Sequence, residues 1–139
     1  MSIDDYVNVS ALKKIANPKG DIYRALKSSE DSYQGFGEAY FTNIHSGEIK
    51  GWKKHNRMIL NLIVPIGLVR FHVHCEHTNE TKHYDIGYDA YSRLTIQPGV
   101  WVAFEGISKE SSLILNIASI EHDPGEAENR PLTFLELKK

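Results

Sequence analysis

The chain has 139 residues with 16 Lys and Arg, 18 Asp and Glu, a formal net charge of −2 and 41% hydrophobic residues. This length suits one domain with its own core, and the charge gives no electrostatic basis for binding nucleic acid or an anionic membrane. The single cysteine, Cys75, excludes an internal disulfide, and the lack of a signal sequence or a long apolar run predicts a cytoplasmic protein.

Short strands separated by turns dominate the predicted elements after a less regular beginning. Residues 10–15 predict a short helix that ends at Asn17-Pro18, and residues 21–26 fit either a strand or a helix. The predicted strands that follow are 37–43, 51–64, 69–75, 81–88, 93–96, 100–104 and 112–118. This spacing predicts an all-β, antiparallel sandwich or barrel with its core at about 35–122, and a polar tail, 123–139, that leaves the core.

The predicted strand 51–64 carries polar, titratable side chains into an apolar run. Alternation places His55, Arg57 and Asn61 on one side and Met58 and Leu60 on the other. One interpretation is a closed sheet whose interior accepts a few polar side chains. The alternative is a strand that begins among exposed charges and contains one hydrogen-bonded core Asn.

A metal site is a weaker hypothesis for the strand at 69–75. His72, His74 and Glu76 fall on one face, and two His with a carboxylate can bind a divalent cation. The opposite face is apolar and predicts core, so this pattern favours His72 and His74 pointing to solvent or to a partner subunit. We therefore predict no metal. Cys75 is expected to be a reduced structural thiol.

Four segments in order along the chain carry a resemblance to a known family. They are Asn17-Pro18-Lys19-Gly20, Lys53-Lys54-His55 after Gly51-Trp52, Ile96-Gln97-Pro98-Gly99-Val100-Trp101, and Ile120-Glu121-His122-Asp123-Pro124. Together they resemble the dTDP-4-dehydrorhamnose 3,5-epimerase family of small cupins, with the related 3,4-ketoisomerases of dTDP-4-keto-6-deoxy sugars.

The resemblance implies a cupin, that is a jelly-roll barrel, commonly a homodimer, which binds a nucleotide sugar and needs no cofactor. Its implied chemistry is enolisation: a His removes a proton beside the keto group, and a Tyr or another acid returns one. This sequence departs from the family pattern at three positions. Lys53 falls where the family has its base, Val102 where it has another His, and Asn116 where it has the acid Tyr.

The resemblance still allows a candidate site. His55 is its base, with Tyr40 or Lys53 as acid or enolate stabiliser. The predicted substrate-binding residues are Lys19 and Arg57 for the diphosphate, Asn61 and Asn116 for sugar hydroxyls, Trp101 for stacking, and Glu38, which shares a face with Tyr40.

For two of these residues the alternative is a purely structural role. Tyr40 would then be a core aromatic, and Lys19 would be a turn residue with no ligand.

The predicted activity is epimerisation or isomerisation of a nucleotide-linked 4-keto-6-deoxy sugar in deoxysugar or surface-polysaccharide biosynthesis. The alternative is a catalytically silent cupin that binds a nucleotide sugar or glycan. A metal-dependent cupin enzyme is a third and disfavoured hypothesis.

Overall fold

The computed structural model describes residues 1–137 and is built almost entirely of strands. They are β1 (Val7–Ala11), β2 (Lys14–Ile15), β3 (Ile22–Tyr23), β4 (Glu38–Ile44), β5 (Ile49–His55), β6 (Leu60–Ile66), β7 (Leu68–Cys75), β8 (Glu80–Gly87), β9 (Ser92–Ile96), β10 (Val100–Gly106), β11 (Ser112–Ala118) and β12 (Ala127–Asn129). Three 3-10 turns span Ile3–Asp5, Pro124–Glu126 and Leu132–Phe134. None of the helical turns in residues 1–137 has the length and apolar run that a membrane-spanning helix needs.

Two five-stranded antiparallel sheets form the body of the protein. The first sheet has the order β1-β9-β6-β11-β4 and the second the order β12-β5-β10-β7-β8, while β2 and β3 form a small hairpin. The core lies between the inner faces. Alternation explains why: Val69, Phe71, Val73 and Cys75 of β7 all point inward and are fully buried. The predicted all-β, antiparallel jelly-roll is confirmed.

The prediction of a helix at residues 10–15 is wrong. β1 pairs with β9 from Val7 opposite Ile96 to Ala11 opposite Ser92, and Lys14 and Ile15 lie in the β2–β3 hairpin. Burial of Val7 against the core stabilises the strand through tertiary contacts, which a local pattern does not contain.

The predicted strand 51–64 is two strands in different sheets. β5 ends at His55 in the second sheet, and β6 begins at Leu60 in the first. Alternation therefore does not continue across residues 56–59. As a result Leu60 faces the interior together with His55, whereas Asn61 faces outward.

The outer face of the first sheet is covered by residues 24–33. Arg93, which is 1% exposed, donates hydrogen bonds to the carbonyl of Ala25 at 2.6 Å and to the Glu30 carboxylate at 2.8 Å. Asn61 donates to the carbonyl of Ser32 at 3.1 Å. These polar bonds hold a loop-rich segment against the sheet.

The C-terminal segment, predicted to leave the core, packs against the outer face of the second sheet. β12 pairs with β5, and the ring of Phe134 packs on buried Trp101 with centroids 5.0 Å apart. Trp101 donates its indole N–H to Glu76. The last two residues of the predicted tail, Lys138 and Lys139, lie outside the described residues.

His72 and His74 were predicted to point to solvent or to a partner subunit, but strands of the same chain cover both side chains. His72 is 1% exposed, and its Nε2 lies 2.9 Å from the Glu105 carboxylate of β10; His74 pairs with Thr81 of β8. Within residues 1–137, no group of three His, Cys, Asp or Glu side chains is placed to hold a metal ion.

Candidate active site

A cavity of about 280 Å³ lies between the two sheets, on the side where β4 faces β5. One wall comes from the first sheet and the other from the second. The first wall consists of Tyr40, Thr42, Leu60, Leu62, Ile114 and Asn116, and the second of Lys50, Gly51, Lys53, His55, Val102 and Phe104. The lining is therefore apolar with a few polar groups, as is typical of small-molecule sites.

Strand register explains how the two lysines come to share one wall. In the β5–β10 pair, Val102 lies opposite Lys53 and Phe104 lies opposite Lys50, with a bulge between the two pairs. Directly opposed residues project to the same face of a sheet. The bulge changes the phase of β5, so Lys50 faces the cavity although it is an odd number of residues from Lys53.

His55 is held by a buried carboxylate from the C-terminal segment. The imidazole Nδ1 bonds to Glu126 Oε1, and the Glu126 side chain is 2% exposed. Glu126 Oε2 accepts the backbone N–H groups of Asn56 at 3.1 Å, Arg57 at 3.0 Å and Met58 at 3.3 Å. The carboxylate therefore fixes both the ring and the loop after β5.

The ionisation of Glu126 determines the tautomer of His55. Burial acts to raise the pKa of Glu126, but the hydrogen bonds from His55 and from the backbone of Arg57 and Met58 outweigh burial and lower the pKa. An ionised carboxylate only accepts hydrogen bonds, so Nδ1 carries the proton. In the neutral ring, Nε2 is then the nitrogen with a free lone pair.

On the opposite wall, Asn116 orients the hydroxyl of Tyr40. The two residues are direct partners in the β4–β11 register, and Asn116 Nδ2 donates to Tyr40 Oη at 2.9 Å. Asn116 Oδ1 accepts the backbone N–H of Asn61 at 3.1 Å, which fixes the orientation of the amide. Because the phenol oxygen accepts from Asn116, its proton can be donated to a ligand.

The structure brings four of the nine predicted site residues to the cavity: Tyr40, Lys53, His55 and Asn116. The remaining five lie outside its lining. Lys19 lies in an exposed turn, and Glu38 accepts the backbone N–H of His122. Arg57 pairs with Asp123 at 2.7 Å. Asn61 and Trp101 lie on the outer faces of the two sheets. The roles predicted for these five residues have no support in this arrangement.

Sequence reasoning missed Glu126 and Lys50. Glu126 lies in a polar, turn-rich stretch that predicted a tail, and no local pattern marks it as a buried partner of a residue 71 positions earlier. Lys50 faces the cavity through a bulge, which breaks the alternation used to assign faces. The Asp123-Pro124 start of a 3-10 turn was the one available signal that the chain turns back at this point.

Comparison with solved structures identifies the fold. A dTDP sugar isomerase from Desulfovibrio desulfuricans G20 is 26% identical, with a TM-score of 0.89 over 95% of this chain and 89% of that one. The sugar 3,4-ketoisomerase QdtA from Thermoanaerobacterium thermosaccharolyticum, in complex with TDP, is 18% identical, with a TM-score of 0.75 over 88% and 87% of the two chains. The fold is that of the RmlC-like cupins.

An RmlC from Legionella pneumophila, solved with dTDP-4-keto-L-rhamnose, extends the comparison to the 3,5-epimerases. It is 11% identical, with a TM-score of 0.76 over 88% of this chain and 71% of that one. No protein-family model matches the sequence, and no curated protein matches it. The three-dimensional structure thus confirms the resemblance to RmlC-like cupins and 3,4-ketoisomerases that the sequence motifs indicate.

Proposed function

We propose that this protein epimerises or isomerises a nucleotide-linked 4-keto-6-deoxy sugar by acid/base enolisation, in deoxysugar or surface-polysaccharide biosynthesis. One observation carries the proposal: in the cavity, His55 has its Nδ1 fixed by buried Glu126, which leaves Nε2 as a proton acceptor. A base in a defined tautomer is what removal of a proton beside a ketone requires. The structural neighbours include a sugar 3,4-ketoisomerase and a 3,5-epimerase solved with dTDP-4-keto-L-rhamnose, and these support the same reaction class.

In the proposed reaction, His55 Nε2 removes a proton from the carbon next to the keto group, and negative charge develops on the ketone oxygen. Lys53 lies two residues earlier on the same wall and supplies an ammonium group to this enolate. A fixed positive charge near the developing oxyanion lowers the barrier more than it stabilises the neutral ketone. His55 and Lys53 therefore have separate roles, base and enolate stabiliser.

Tyr40 supplies the proton that completes the reaction. It belongs to the first sheet, whereas His55 belongs to the second, so the two groups approach a bound sugar from different walls. Protonation from the Tyr40 side inverts the carbon and gives an epimer. Return of the proton by His55 to the former keto carbon, with the hydroxyl proton of the first carbon passing to the former ketone oxygen, gives a ketoisomer, so both outcomes are compatible with the same three residues.

The rest of the lining fits the 6-deoxy class. Leu60, Leu62, Val102 and Ile114 provide apolar surface, and no carboxylate of residues 1–137 lines the cavity. A methyl group at C6 packs against these four side chains at no polar cost, whereas a hydroxymethyl group placed against them would find no hydrogen-bond partner among them.

The proposal is tested by incubating the purified protein with dTDP-4-keto-6-deoxyglucose and identifying products by NMR. Wild type is expected to convert the substrate, and His55→Asn is expected to keep binding but lose conversion. Binding without conversion by wild type would instead support the silent binder, for which the replacement of the family's acid Tyr by Asn116 is the favouring observation. Conversion unchanged in His55→Asn would remove His55 from the base role.

The homodimer and the cytoplasmic location implied by the resemblance and the sequence remain parts of the proposal. Sedimentation equilibrium of the purified protein tests the first, with a mass near twice 15.8 kDa as the expected result. Fractionation of the source cells tests the second.

A further inference from the structure

The C-terminal segment contacts both sides of β5. Glu126 bonds to His55, whose side chain lines the cavity, while Phe134 packs on the outer face of the second sheet. Between these two contacts, β12 pairs with β5 over Ala127–Asn129 only, at the edge of the sheet. So short an edge strand opens readily when nothing else holds it, and the position of Glu126 therefore depends on what anchors the chain after β12.

An aromatic contact anchors the chain after β12. The ring of Phe134 packs on Trp101 with centroids 5.0 Å apart. The Arg130 guanidinium lies 5.3 Å from the Trp101 ring and 5.9 Å from the Phe134 ring, and the backbone N–H of Arg130 donates to the carbonyl of Trp52 at 2.9 Å. Aromatic and cation–π contacts stabilise beyond the apolar area that they bury.

This anchor is separate from the core between the two sheets. Trp52, Trp101 and Ala103 form a second buried cluster, against which Leu135 packs. Phe134 is 38% exposed and does not belong to the main core. Removal of its ring therefore loosens the C-terminal segment without leaving a cavity between the sheets.

We propose that Phe134 is a positioning residue: through its contact with Trp101 it holds Glu126 in place at the base. The inference rests on the proposed function, since it concerns the base of that reaction. When the segment detaches, the Glu126 carboxylate leaves the imidazole of His55 and also the backbone N–H groups of residues 56–58. A contact on the outer face of the sheet thereby sets the state of a base on the inner face.

Native-state hydrogen exchange at the amides of residues 56–58 tests the proposal, because these amides are freed when Glu126 leaves. Phe134→Ala is expected to accelerate their exchange about tenfold or more. Phe134→Tyr keeps the ring and is expected to exchange like wild type. The matched control is Tyr23→Ala, since Tyr23 of β3 is 37% exposed and packs its ring on Tyr91 with centroids 5.5 Å apart. This control is expected to leave the exchange of residues 56–58 unchanged.

Conversion of the 4-keto sugar gives a second readout, which a merely structural contact would not move. It is measured at a urea concentration that exposes the amides of residues 56–58 in Phe134→Ala but leaves them protected in wild type. At that concentration kcat of the variant is expected to fall about tenfold or more below wild type, with KM retained. The reason is that His55 has then lost the acceptor that keeps its proton on Nδ1.

The outcomes separate this inference from the proposed function. Unchanged exchange of residues 56–58 in folded Phe134→Ala overturns the inference, and so does equally accelerated exchange in Tyr23→Ala. A wild-type kcat of Phe134→Ala at the chosen urea concentration also overturns it. Exchange that responds to Phe134 as expected, in a protein that converts no sugar, supports the hold of Phe134 on Glu126 and contradicts the proposed catalysis.

Discussion

Replacing Glu126 by Gln is expected to abolish the action of His55 as a general base while leaving the protein folded. The carboxylate accepts the Nδ1–H of His55 and the backbone N–H groups of Asn56, Arg57 and Met58. An amide keeps one acceptor oxygen for the backbone but presents an NH₂ group to His55. The ring must then accept at Nδ1 and carry its proton on Nε2, which is the wrong tautomer for a base.

The expected losses of unfolding free energy and of conversion rate follow from the same contacts. Hydrogen bonds to a charged group contribute about 1.5–3 kcal/mol and neutral ones about 0.5–1.5 kcal/mol, so weakening four bonds together is expected to cost roughly 2–3 kcal/mol of unfolding free energy. Loss of general-base catalysis is expected to lower the conversion rate by about 10²–10⁴-fold. The assays are urea unfolding and NMR-detected conversion of dTDP-4-keto-6-deoxyglucose.

A matched control lies two residues away. Glu128 is on β12 with a side chain 40% exposed, and it pairs with Lys54 rather than with the cavity. Glu128→Gln is expected to change stability by less than about 1 kcal/mol and to leave the rate near wild type. A folded Glu126→Gln variant with the wild-type rate would refute the reasoning that this carboxylate sets the tautomer of His55.

Three further predictions follow from the site and its support. Tyr40→Phe removes the proton donor and the acceptor of the Asn116 amide, so NMR is expected to show conversion reduced by about 10²-fold with nucleotide binding retained; unaltered conversion would exclude Tyr40 as the acid. Folding lowers the pKa of Glu126, so the ionised carboxylate contributes to stability above the ordinary pKa of 4.5, and this contribution is lost as the pH falls through the lowered pKa. Urea unfolding between pH 7 and pH 3 should show this loss of unfolding free energy. The same dependence of stability on pH in Glu126→Gln would contradict the prediction. Trp101→Ala empties the space beneath Phe134 and is expected to destabilise the protein by about 3–5 kcal/mol in urea unfolding, whereas a change below 1 kcal/mol would mean that the C-terminal segment contributes little.

The sequence predicted the inner faces of strands better than the outer faces. In β7, alternation correctly places Val69 and Phe71 in the core, because that pattern is a property of one strand. It wrongly exposes His72, whose burial comes from Glu105 on β10 and His83 on β8. Which outer face is covered depends on neighbours that are distant in sequence.

Contacts between residues that are distant in sequence also explain why the sequence did not predict the end of β5 at His55 or the role of Glu126. Nothing local ends the strand at His55, since residues 56–59 contain neither Gly nor Pro. The break occurs where the backbone N–H groups of Asn56 to Met58 turn to Glu126 instead of to a neighbouring strand. His55, Lys53, Tyr40 and Asn116 were predictable because family motifs mark them or alternation places them on a strand, whereas their organising carboxylate comes from a segment predicted to leave the core.

The measurement that most directly tests the account is NMR-detected deuterium incorporation from D₂O into dTDP-4-keto-6-deoxyglucose. Exchange reports enolisation even where net conversion is small, so it tests His55 as a base independently of which isomer accumulates. Exchange beside the keto group is expected with wild type, well above the protein-free rate, and it is expected to be lost in His55→Asn. Exchange absent from wild type that demonstrably binds the nucleotide sugar, or equally fast in His55→Asn, would contradict it.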